Sequence, residues 1–297
     1  MTPAVPCQMI HHNFGIAFVP SMAPPPRVFI TVQHDGLSRH VFEGLYENRK
    51  SGTEPDSRTL LLAMRLFRAA SPHVGVIYSL FPRSVLETNV PPDEAYRDPA
   101  LKPLYDSYHQ EVEGYLAAAV RAHGTCALLD LHGFSSDGQP SYAPPGGYDV
   151  ILGTGNRSTI PHHEAGTEAT DDLDYRIRDA LTEAGLAVFC PEWEPILERR
   201  WREEAGKYVQ SGHEAIPNDM VGEDEESDPR FLIPPRLPDF YNGGYLIRQH
   251  ASRDVAAIQM EVTYEFRQLR SERTPAGEKK ESGLVAALSA LIKEIRQ

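Results

Sequence analysis

Asp130 and His132 stand two residues apart in an otherwise apolar run, Ala127, Leu128, Leu129 and Leu131. In an extended chain such residues share a face. Asp130, His132 and Phe134 therefore point one way, Leu129 and Leu131 the other. A carboxylate and an imidazole at the tip of a buried strand need partners. Two arrangements supply them. One is a core histidine bonded to its neighbouring aspartate. The other is a metal ion that takes His132 as ligand, with Asp130 orienting a ligand or accepting its second N–H. Gly133 then lets the backbone turn or lets another group come close. Glu261 poses the same problem inside the run 255–262, where Ile258, Met260 and Val262 share one face and Ala257, Gln259 and Glu261 the other. It either pairs with an arginine or, beside a cation, serves as a general base that burial tunes towards neutrality.

The elements that must position these groups follow from pattern. The β-branched content of 28–33 predicts a strand, with His34-Asp35-Gly36 at its carboxyl end. Asp56 is expected to cap a helix whose apolar face holds Leu60, Leu61, Met64, Leu66 and Phe67. Further strands are expected at 74–80, 148–152, 186–190 and 255–263, and helices at 102–122, 167–184 and from Ser282 onward. Residues 1–27, rich in proline, read as an irregular arm. Residues 191–239 break the rhythm, carry both tryptophans and an acidic run, and read as an insertion that could wall or cover a site. Residues 242–245 read as a turn and 267–280 as a basic loop. Alternating strands and helices predict one α/β domain, 1–297, in three αβα layers around a mainly parallel or mixed sheet. In such sheets, sites lie beyond the strands' carboxyl ends. That rule selects His34, His132, Arg157 and the end of the last strand.

Composition narrows the partners. With 297 residues, 41% hydrophobic and 24% charged, the chain has the make-up of a soluble globular protein. A formal net charge of −13 argues against nucleic-acid and anionic-membrane surfaces. Three widely spaced cysteines make no disulfide framework and no thiol metal site. With no signal-like leader and no apolar run of membrane-spanning length, the expected location is the cytoplasm.

Several stretches, in order, resemble the N-formylglutamate amidohydrolase family. His34-Asp35-Gly36 looks like its His-Ser-Gly opening, and Glu54-Pro55-Asp56 with Thr59 and Leu62 like its carboxylate-bearing helix start. Pro82-Arg83 and Glu87-Thr88-Asn89 are similar to its Pro-Arg and Asp-x-Asn-Arg segment, and Asp130-Leu131-His132 to its Asp-x-His strand. Asn242 to His250, followed by Ala257 to Glu261, resembles its closing block. The match spans about residues 28 to 265.

The resemblance implies a phosphorylase/hydrolase-like (zinc carboxypeptidase-like) fold and a zinc-dependent amidohydrolase. One Zn²⁺ would be held by His34, Asp56 and His132, with Glu261 as general base and Arg83 steadying the reacting oxygen. The expected substrate is a small carboxylated N-acyl amide, N-formyl-like, with Arg157, Asn242, Arg248 and Gln259 as its binding residues. Glu43, in His40-x-x-Glu43, is the alternative carboxylate ligand, with the spacing of a metallocarboxypeptidase pair. Glu87 and Val90 depart from the family pattern, as does the 191–239 insertion. These departures are expected to bear on substrate rather than on metal, and they motivate a second reading, a non-catalytic binding protein on the same scaffold.

Overall fold

The computed structural model describes residues 7–11, 15–20, 24–35, 56, 58–135, 147–155, 157–161, 172–190, 243–272 and 274–295. Glu43, Asn242 and the 191–239 insertion lie outside the described residues.

Eight strands form one sheet: β1 (Cys7–His11), β2 (Gly15–Pro20), β3 (Val28–Val32), β4 (Val74–Ser79), β5 (Cys126–Phe134), β6 (Val150–Gly153), β7 (Val188–Phe189) and β8 (Val255–Thr263). Their order across the sheet is β1-β2-β4-β3-β5-β8-β6-β7. The centre, β4-β3-β5-β8, is parallel. β6 runs antiparallel to β8, and β1 and β2 form an antiparallel edge against β4. The sheet is thus mixed, and the central strands are buried on both faces, as their unbroken apolar runs require.

Helices cover both faces. α1 (Thr59–Ala70), α4 (Leu173–Glu183) and α7 (Pro275–Glu294) pack on one, where Leu62, Leu66, Ile177, Leu181, Leu284 and Leu288 meet Ile30, Leu129 and Ile258. α3 (Lys102–His123) and the short α5 (Tyr245–His250) pack on the other, where Tyr108, Val112, Leu116, Leu246 and Ile247 meet Phe29, Leu128 and Ala257. The buried positions of α3, at 105, 108, 112, 116 and 119, recur every three or four residues. α2 (Pro92–Ala95) and α6 (Tyr264–Arg267) are single turns at the carboxyl end of the sheet. No helix among the described residues is long and apolar enough to cross a membrane.

Three expectations are corrected. The irregular arm contains the β1–β2 hairpin: the run Ile16 to Val19 is apolar enough to join the sheet, and Ala17 is fully buried against it. The second half of the basic loop, 275–280, is the first part of α7, which begins at Pro275, where the Thr274 hydroxyl accepts the Gly277 N–H at 3.0 Å. Asp56 does not cap α1. The helix starts at Thr59 after Arg58 in left-handed conformation, and its cap comes from Asp35, whose Oδ1 accepts the Leu60 N–H at 2.8 Å.

A candidate metal centre at the strand ends

The cap on α1 determines what Asp56 can do. Asp35 ties the end of β3 to the start of α1, and the Asp56 N–H bonds the His34 carbonyl at 2.7 Å. The Asp56 side chain is left to face the sheet. β5 supplies the second histidine: His132 pairs in register with Glu261 of β8, and Asp130 with Gln259, one pleat lower on the same face. His34, Asp56 and His132 are all buried, and each offers a ligand atom within 4.8 Å of the others.

Both imidazoles point the same ring atom inward. Asp56 Oδ2 lies 2.8 Å from His132 Nδ1 and 3.4 Å from His34 Nδ1. Both Nε2 atoms are taken by carboxylates. Glu87 Oε1 is 2.6 Å from that of His34, and Asp130 Oδ2 is 2.9 Å from that of His132. Asp130 is itself held by the Thr31 hydroxyl at 2.7 Å and the Gln33 amide at 2.8 Å. Glu87 receives the Arg83 Nε–H at 2.6 Å and the Asn89 N–H at 2.9 Å. A carboxylate on the outer nitrogen of each histidine is the arrangement that orients metal-bound imidazoles and raises their basicity.

His34 Nδ1 tests whether a cation fits. It is buried, 3.4 Å from Asp56 Oδ2, and makes no hydrogen bond, so it is available to a cation. Two imidazole nitrogens and one carboxylate oxygen around such a point match the protein donors of a catalytic zinc site. His34, Asp56 and His132 could hold such an ion: Asp130 and His132 are bonded, and His132 still aims its other nitrogen at Asp56.

Electrostatics agree with that fit. Burial pushes Asp56 up, but the neighbouring His132 and His34 imidazoles outweigh it and hold its carboxyl well below the usual range. Burial also opposes Glu87, yet the neighbouring His34 and Arg83 hold it well down. For His132, burial works against the charged form, and Asp130 and Asp56 overcome it and raise the pKa well above the ordinary value. Glu261 goes the other way. Burial pushes it up to about 7, Asp56 adds to the rise, and His132 and the Gln259 N–H pull back. Two carboxylates beside one site are thus driven apart, one firmly ionised and one poised to exchange a proton near neutrality.

Gln259 holds Glu261 in place. Its amide donates to Glu261 Oε1 at 2.8 Å, and its carbonyl accepts the Gly244 N–H at 2.6 Å. Asn89 Oδ1 accepts the Leu246 N–H at 2.9 Å, fastening the start of α5 to the same region.

The expected substrate arginines have different fates. Arg83 meets the site through Glu87 and keeps 29% of its side chain exposed. Arg157 lies apart from the histidines, within the scaffold. It is 1% exposed, its guanidinium is bonded to Asp172 and Asp174, and it stacks over Tyr175. Its charge is already matched in the scaffold, because burying an arginine without carboxylates would be prohibitive. Arg248 is exposed on α5. It lines a cavity of about 380 Å³ with Ser158, Ser252 and Arg253 towards the amino end of β8, and no described hydrogen bond or ion pair joins it to His34, Asp56 or His132.

Glu87, expected to bear on substrate, is bonded to His34, a candidate ligand. The Arg83–Glu87 spacing of four residues is the signal that could have flagged it as a charged pair.

No protein-family model matches the chain, and no curated protein does. Among solved structures, an N-formylglutamate amidohydrolase from Ralstonia eutropha is similar over 98% of this chain and 99% of its own, with a TM-score of 0.57 at 13% sequence identity. A gene product of Agrobacterium tumefaciens is 17% identical, covering 90% of each chain, with a TM-score of 0.45. The Ralstonia protein shares the three-layer α/β fold over nearly the whole length of both chains.

Proposed function

We propose that this protein is a zinc-dependent amidohydrolase that cleaves an N-acyl, N-formyl-like amide of a small carboxylated substrate. The observation that carries the reading is the convergence of His34 Nδ1, His132 Nδ1 and Asp56 Oδ2, each imidazole backed by a carboxylate, beside Glu261. The fold it shares with an amidohydrolase supports the same reading. A divalent cation bound there would polarise a carbonyl and make water acidic enough to attack at neutral pH.

The chain's own residues do the rest. Glu261 takes a proton from the attacking water and returns it to the amine nitrogen as the C–N bond breaks, a role suited to a carboxyl poised at about 7. Gln259 fixes the Glu261 oxygen that performs the exchange. Arg83, partly exposed beside Glu87, stabilises the negative charge that develops on the former carbonyl oxygen. Arg157 we assign to the scaffold.

Metal analysis after purification without chelators tests the proposal, followed by a screen of N-formyl and other N-acyl amino acids. The expected result is close to one zinc per chain, with activity lost on chelation and restored by Zn²⁺ or Co²⁺. A protein that binds neither ion and hydrolyses none of these amides would not be such an enzyme.

A further inference from the structure

Arg267 ends α6, the turn that follows β8, and is 3% exposed. Its guanidinium lies against Gly133: a Cβ at that position would stand 2.3 Å from both Cζ and Nε. The glycine of Asp130-Leu131-His132-Gly133 therefore makes room for a cation. Side chains alternate along β5, so position 133 faces opposite to His132. The guanidinium sits behind the strand end that carries His132 in front. Its Nη2 donates to the Phe134 carbonyl at 2.9 Å.

The charges around it favour keeping it there. Burial disfavours the charged form of Arg267, and Asp56, Glu261, Tyr264 and Asp35 all act in the opposite sense. Five buried carboxylates, Asp35, Asp56, Glu87, Asp130 and Glu261, crowd this end of the sheet. Arg83, bonded to Glu87, also interacts with Asp56 and Glu261 from its partly exposed position, and Arg267 acts on the same two carboxylates from behind Gly133. An arginine keeps its proton in such a place, so its charge is fixed.

We infer that Arg267 is a positioning residue: a permanent counter-charge behind β5 and β8 that offsets the carboxylates of Asp56 and Glu261 and tempers the site's hold on its cation. The inference rests on the reading of His34, Asp56 and His132 as a cation site. A merely structural role, in which the guanidinium props the Phe134 carbonyl, predicts no gain in metal affinity when the charge is removed.

R267Q keeps an N–H donor for Phe134 and loses the charge. R267K keeps the charge and loses the planar fork. Both are compared with the wild type by Co²⁺ titration, read in the visible absorption of the bound ion, and by Zn²⁺ competition at fixed pH and low salt. Removing a buried unit charge near a divalent ion is expected to make R267Q bind about tenfold tighter, while R267K binds like the wild type. Binding by R267Q that is unchanged or weaker overturns the inference and leaves Arg267 a prop. If R267Q does not fold, R267K decides alone: wild-type affinity supports the charge role, and a tenfold loss overturns it. A wild type that binds no Co²⁺ or Zn²⁺ removes the cation reading itself, and this inference with it. A wild type that binds while R267Q fails to tighten removes only this inference.

Discussion

His132 and Glu261 are register partners across the pairing of β5 with β8, so a candidate ligand and a candidate base stand side by side on the same face of adjacent strands. Parallel pairing of two central strands sets their spacing, and neither depends on a loop for its position.

Glu261→Gln should separate binding from turnover. The amide fills the same space and still meets Gln259, but it takes no proton. We expect zinc content to stay at the wild-type level and kcat to fall by roughly 10²–10⁴-fold on the best N-acyl substrate. Metal analysis and steady-state kinetics on one preparation check both. Retained kcat would remove Glu261 from the proton transfers, and unchanged ligand affinity with no wild-type turnover would favour the binding-protein alternative.

Glu87→Gln should weaken the metal site without touching a ligand. His34 Nε2 loses its carboxylate, and with it the basicity and orientation of its Nδ1. Loss of such an outer partner is expected to lower zinc affinity about 10–100-fold. Competition with a chelating dye measures it. Asp130→Asn should act likewise through His132.

The metal-free protein should show a pH-dependent difference between wild type and E261Q. The folded pKa of Glu261 is raised from 4.5 to about 7. Its favourable contribution is thus fully present below 4.5 and is lost as pH rises through about 7. Glutamine has no such dependence. Between about pH 5 and about pH 8, E261Q is expected to gain on wild type by on the order of 3 kcal/mol. Urea unfolding at both values tests the sign.

Arg157→Met should be a stability variant and not a substrate variant. It leaves Asp172 and Asp174 buried without their cation. Breaking such a pair costs about 3–5 kcal/mol. KM of the folded fraction should match the wild type, and a raised KM would return Arg157 to the substrate site.

The legibility of each part in the sequence depends on how local its signal is. β5 and β8 show as apolar runs broken by polar residues on one face, and α3 by its spacing, so the strand-end rule reached His34, His132 and Glu261. The parts that were not legible depend on distant partners. Asp35 caps a helix through a residue 25 positions further on, and the nearer Asp56 looked the better cap by type. Glu87 reaches back 53 residues to His34, while its neighbours suggested substrate recognition. Arg267 was hidden among the basic residues of 267–280, because only packing shows that Gly133 leaves space for it. Arg157 looked like a strand-end arginine free for substrate, and its acidic partners on and before α4 lie well beyond it in the chain.

The double tie between the end of β3 and the start of α1 has a consequence for length variation. His34 and Asp56 are joined by a backbone hydrogen bond, and Asp35 is joined to Leu60. The chain between these anchors enters and leaves at nearly the same point. Joining two anchors costs entropy that grows only as the logarithm of the number of residues between them. A change in that number is therefore expected to leave the separation of His34 and Asp56 nearly as it is.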